Sequence, residues 1–89
     1  MIDIGILDPH PVVRAGLRGL VSQHVDLRIT GEATSMAEAM ALVGGPQKPD
    51  VMVFDLPEAG QSGFEAMACL RARAPEVSVL VFTGYAPEH

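Results

Sequence analysis

Eighty-nine residues allow a single domain, because a chain of this size buries only roughly 60–70% of the surface it would expose unfolded. Hydrophobic residues at 48% against 19% charged, with a mean hydropathy of +0.27, exclude a disordered chain. Eleven acids against six bases give a net charge of −5, which argues against nucleic-acid binding by these residues, since phosphate affinity comes from clustered Lys and Arg.

The longest apolar runs, such as Val77 to Phe82, are far shorter than the ~20 residues of a membrane span. Met1-Ile2-Asp3 has no basic leader pattern. The single cysteine, Cys69, has no internal disulfide partner, and a reducing cytoplasm is the expected setting. His10, His24 and His89 show no metal-ligand spacing.

Two hydrophobic periods alternate along the chain. Ile2 to Leu7 reads as a buried strand. Pro9 and Pro11 end it; Pro11 suits a helix's first turn, where its missing N–H costs nothing, and His10 and Pro11 are expected to shape the start of that helix. Val13, Leu17, Leu20 and Val21 then recur at helical spacing, predicting a helix from about Val12 to His24. Leu27 to Ala33 alternates as a second strand. Ser35-Met36-Ala37-Glu38 has the form of a capping box and predicts a helix through Met40 to Val43, stopped by Gly44-Gly45-Pro46. Val51 to Phe54 is a third strand, and Leu56 to Gly63 reads as a loop. Phe64, Met67, Ala68 and Arg71 space as a third helix, closed by Pro75. Val77 to Phe82 is a fourth strand, and Gly84-Tyr85-Ala86-Pro87 begins a loop. Cys69 is expected to be a small core or partly buried residue, Lys48 a solvated loop residue and the five methionines core fillers.

The order β-α-β-α-β-α-β predicts an α/β fold, a parallel sheet with helices on both faces. Ligands in such sheets bind beyond the carboxyl ends of the strands. There the sequence places Asp8, Asp55 and Thr83. Each alone is an ordinary turn residue or cap. Together they describe two carboxylates and a hydroxyl at one sheet edge. Paired carboxylates repel unless a cation neutralises them, and Mg²⁺ takes oxygen ligands. A carboxylate beside a cation is a possible acceptor for a phosphoryl group.

These residues carry a resemblance. Ile6-Leu7-Asp8-Pro9-His10-Pro11-Val12-Val13-Arg14-Ala15-Gly16-Leu17-Arg18 resembles the opening of bacterial response regulator receiver domains of the NarL/LuxR class. Gly31-Glu32-Ala33 fits that class, as do Pro49-Asp50-Val51-Met52-Val53-Phe54-Asp55-Leu56, Gly63, and Val79-Leu80-Val81-Phe82-Thr83-Gly84-Tyr85. The resemblance covers essentially the whole chain. It implies a three-layer flavodoxin-like sheet of strand order 2-1-3-4, truncated after the fourth strand, so that residues 1–89 form an incomplete receiver domain.

It further implies Asp55 as phosphoacceptor and Asp8 as the first acid of a paired acidic motif. The backbone carbonyl of Pro57 becomes a metal ligand and Thr83 the switch hydroxyl; Tyr85, just past Thr83, reads as an exposed aromatic or a partner contact. The implied partners are a sensor histidine kinase, a second copy of the chain, and DNA only through a separate helix-turn-helix part. No membrane partner is implied.

The sequence departs from the pattern at three places. Pro9 stands where the second acid is usual, so Mg²⁺ binding is expected to be weak or absent. Glu58-Ala59 replaces Met-Pro; Glu58 either partly substitutes for the lost ligand or repels phosphate. The fifth strand and its lysine are not in the sequence, and Lys48 does not match that lysine. A phosphorylation-independent interaction module is the alternative reading. An enzyme is not expected: a phosphohydrolase on a similar sheet needs a second acid where Pro57 stands. In the 2-1-3-4 order the fourth strand is an apolar edge without a gatekeeping charge, so self-association is expected.

Overall fold

In a computed structural model, residues 1–55 and 60–82 are described. The elements are β1 (Ile2–Leu7), α1 (Pro11–Val21), β2 (Leu27–Ala33), α2 (Met36–Gly44), β3 (Val51–Asp55), α3 (Gly60–Arg73) and β4 (Ser78–Phe82). The four strands form one parallel sheet in the order β2-β1-β3-β4. Fold class and strand order are those expected from the sequence.

Alternation along the strands divides the core in two. On one face Ile4, Ile6 and Val53 are buried under Leu17 and Val21 of α1. On the other, Met52, Phe54, Ala33 and Val77 pack with Ala39 and Val43 of α2 and with Leu70 and Ala74 nearby. Residues one apart on a strand point to opposite faces, so Met52 and Val53 serve different cores.

Several boundaries and faces differ from the reading above, each for a local reason. α1 starts at Pro11 and ends at Val21; Ser22, Gln23 and His24 instead close a tightened turn, with Gln23 N–H donating to Leu20 O at 3.2 Å and His24 N–H to Val21 O at 3.0 Å. Leu20, predicted on the core stripe, is 61% exposed. α3 begins at Gly60, inside the predicted loop. Glycines in a first turn cost little hydrogen bonding, because those N–H groups have no intrahelical partner.

The face that α3 buries is set by Met67, Leu70 and Ala74. Cys69, one position and about 100° round from Leu70, is therefore exposed and not a core residue. Ala68 is exposed for the same reason. β3 extends to Asp55. β4 starts at Ser78, because Val77 is spent on the turn that closes α3, its N–H donating to Ala74 O at 3.0 Å. Met52 is fully buried and Met36, Met40 and Met67 border the core, whereas Met1 is exposed. Lys48 stays exposed but forms an ion pair with Glu76.

The capping motif at α2 is present with a shifted partner. Ser35 is the N-cap and its Oγ accepts from Glu38 N–H at 3.2 Å. Glu38 reaches one residue further back than a capping box requires, accepting from Thr34 N–H at 2.7 Å and Thr34 Oγ1 at 2.9 Å. These bonds, the backbone one first, hold the Glu38 carboxyl below its ordinary range.

Candidate acidic pocket at the carboxyl ends of the strands

Register puts two acids at one level of the sheet. Leu7 pairs with Phe54, and the next residues on these neighbouring strands are Asp8 and Asp55. Adjacent strands lie about 4.8 Å apart, so the two backbones exit side by side. Asp55 also pairs with Phe82 of β4, the residue before Thr83. Asp8 continues the ladder, its N–H donating to Ala33 O at 3.0 Å. Pro57, Glu58, Thr83 and Tyr85 lie outside the described residues, and Asp55 is placed by its backbone.

Asp8 is fully buried. Its Oδ1 accepts from His10 N–H at 2.7 Å and stands 2.8 Å from His10 Nδ1. An ionised carboxylate oxygen can only accept, so in that state the ring nitrogen facing it carries the hydrogen. His10 is the N-cap of α1, without a side-chain cap bond, and Pro11 is the first helical residue. The sequence marked these two as helix starters, which they are; the bond from the imidazole to Asp8 was not foreseen.

A second arrangement, also not foreseen, secures this loop from α1. Arg14 donates from Nη1 to the backbone carbonyl of Asp8 at 2.7 Å and from Nε to Glu32 Oε1 at 3.2 Å. Arg18, one turn on, donates to both Glu32 oxygens at 2.6 and 2.8 Å. The legible signal was the Arg14–Arg18 spacing of one helical turn, which places both on one face. The partner, Glu32 on β2, becomes adjacent only through the fold.

Magnesium takes oxygen ligands in near-ideal octahedral geometry. Asp8 is the acid at this edge whose side chain is described, Asp55 being placed by its backbone; Pro9 has no side-chain oxygen, and His10 holds the near oxygen of Asp8. No group of three or more His, Cys, Asp or Glu suited to a metal occurs among the described residues. This donor set does not fit Mg²⁺.

Comparison with known proteins decides the family. The model of the response regulator receiver domain matches residues 4–89. The chain belongs to the response regulator receiver domain family. This receiver is 39% identical over 85 residues to the DNA-binding transcriptional activator DevR/DosR of Mycobacterium tuberculosis, a match covering 96% of the chain and 39% of that protein. A LuxR-family response regulator from Aurantimonas is 31% identical, with a TM-score of 0.82, over 97% of this chain and 61% of that one. RcsB of Salmonella enterica, solved bound to a promoter with a phosphomimetic, shares the fold with a TM-score of 0.83 at 21% identity, over 98% of this chain and 72% of that one. The receiver spans about two-fifths of the length of the curated relatives it matches. Its relatives are NarL/LuxR-type response regulators, and receivers of this family are in general signalling modules, not enzymes.

Proposed function

We propose that Asp55 accepts a phosphoryl group from a sensor histidine kinase and that residues 1–89 act as the signal-input part of a DNA-binding transcriptional regulator. One observation supports this reading above the others: Asp8 and Asp55 follow the Leu7–Phe54 pair on neighbouring strands, at the sheet edge where such folds bind ligands. Transfer forms an O–P bond on the Asp55 carboxylate, giving an acyl phosphate, as the N–P bond of the donor phosphohistidine breaks and its imidazole leaves, protonated by solvent. The product carries about two negative charges and three acceptor oxygens. Thr83 is the hydroxyl assigned to meet it and Tyr85 the contact that reports the change to a partner; reordering there shifts a population between two packings. DNA is reached through a part of the protein outside these residues.

No helix among the described residues is long and apolar enough to cross a membrane, and the reading places the protein in the cytoplasm. A second copy of the chain is the proposed partner at β4, where Leu80 is 57% and Val81 37% exposed. Mg²⁺ is expected to bind weakly or not at all, because Pro9 stands where an acidic ligand is usual. The test is incubation with acetyl phosphate followed by intact-mass and peptide mapping. Slow, incomplete labelling confined to Asp55 and lost in Asp55→Asn is expected. Labelling that persists in Asp55→Asn overturns the assignment.

A further inference from the structure

We propose that His10 fills the place of a metal ion at Asp8 Oδ1, so that a divalent cation binding that oxygen has to displace the imidazole. The inference rests on the reading of this sheet edge as the phosphoryl-accepting pocket, and it starts from the misfit between the donor set and Mg²⁺.

Two features tie His10 to the buried carboxylate. Both its backbone N–H and its ring Nδ1 lie within 2.8 Å of the same oxygen, Asp8 Oδ1. A hydrogen bond to an ionised acceptor is roughly twice as strong as one between neutral groups. The oxygen that faces His10 is thereby occupied by donors that a cation would have to remove.

The local sequence makes this arrangement stiff. His10 lies between Pro9 and Pro11. A residue before proline is confined to extended backbone, and His10 has φ −96° and ψ 115°. Pro9 fixes its own φ near −65°. The carbonyl of Asp8 is held at 2.7 Å by Arg14. Backbone rotation therefore cannot carry the imidazole away, and release requires side-chain rotation against the bond to Asp8. Pro9 thus has two effects: it deletes a carboxylate, and it presents the next side chain to the one that remains.

The consequence concerns ion binding. Mg²⁺ dehydrates reluctantly and keeps several waters. To bind Asp8 Oδ1 it must displace the ring donor, with one carboxylate fewer to compensate. Removing the imidazole leaves the backbone bond in place and opens the oxygen to the ion.

The experiment is calorimetric titration of Mg²⁺ into the 89-residue chain and into His10→Ala, His10→Gln and Pro9→Asp, at fixed pH and ionic strength. A hydrogen bond to a charged group that is removed in His10→Ala corresponds to about tenfold tighter Mg²⁺ binding. The Gln side chain still offers a donor to Asp8, so His10→Gln should stay nearer the parent. Equal or weaker Mg²⁺ binding by His10→Ala overturns the proposal, as does a gain of the same size in His10→Gln. Pro9→Asp separates the two readings: tight binding there with no gain in His10→Ala rejects the role of His10 and keeps the pocket, while no binding in any variant rejects both.

Discussion

Replacing Glu32 by alanine should cost the domain stability out of proportion to a surface position. Glu32 side-chain exposure is 26% and that of its partner Arg14 is 17%. The variant leaves Arg14 mostly covered, with the Asp8 carbonyl as its one remaining hydrogen-bond acceptor among the described residues. Losing one partner of a mostly buried charged pair leaves the other uncompensated, and for this partly covered pair about 1–2 kcal/mol is expected, below the cost for a fully buried one. The Arg18 side chain is 51% exposed, so solvent screens it and Arg18→Ala should cost about 0.5 kcal/mol or less. With a urea slope of about 1 kcal/mol/M for a small domain, the midpoint of Glu32→Ala falls by about 1–2 M. Urea denaturation followed by circular dichroism reads the shift. A double-mutant cycle with Arg14→Ala should show that the two losses are not additive. Equal midpoints for Glu32→Ala and the parent, or a loss in Arg18→Ala as large as in Glu32→Ala, refutes the assignment of the stabilisation to Arg14.

A Cβ on Gly31 would stand 2.5 Å from Leu42 Cδ2 and 3.1 Å from Cδ1, so Gly31→Ala must shift the end of the partly buried Leu42 side chain and should lower thermal stability by about 1 kcal/mol; an unchanged melting temperature refutes this. Leu70→Ala, at a fully buried core position, should cost about 2–5 kcal/mol in chemical denaturation. The Glu38 carboxyl is held below its ordinary range by Thr34, so its contribution is present above the unfolded carboxyl value and lost as pH falls through the folded one; amide exchange at the start of α2 should rise over that acid window, and Glu38→Gln should remove the pH dependence. Sedimentation at tens of micromolar should show the parent chain as a dimer or larger and Leu80→Lys shifted toward monomer; a monomeric parent refutes edge pairing through β4.

The element sequence was legible because the strands are short apolar runs and the helices carry stop signals at Gly44-Gly45-Pro46 and Pro75, whereas the strand order came from the family resemblance. The Asp8–Asp55 juxtaposition was legible too, since parallel strands of known order bring their carboxyl ends together. Helix faces were read less well. Leu20 was grouped with the apolar stripe from spacing, and Cys69 was expected to be core or partly buried from its residue type, yet an α-helix turns about 100° per residue, and which side meets the sheet is decided by the whole packing of Leu17 and Val21, or of Met67, Leu70 and Ala74. Pairings between distant segments left no local trace: Arg14 with Glu32, Lys48 with Glu76, and Arg28 with Asp3 at 2.9 Å. His10 was read for its backbone, as a helix starter between prolines, and that reading hid what the same geometry does to its side chain.

The pocket at the ends of β1 and β3 is tested most directly by beryllofluoride, a phosphoryl mimic, titrated with Mg²⁺ into labelled protein while backbone amide shifts are followed. The expected result is weak, unsaturated perturbation in the parent and full saturation in Pro9→Asp, with the largest shifts in both at Asp8, Asp55 and the end of β4. Tight saturation in the parent contradicts the account, because the pocket would then need no acid at position 9. Shifts centred on the opposite end of the sheet, or none in Pro9→Asp, contradict it as well.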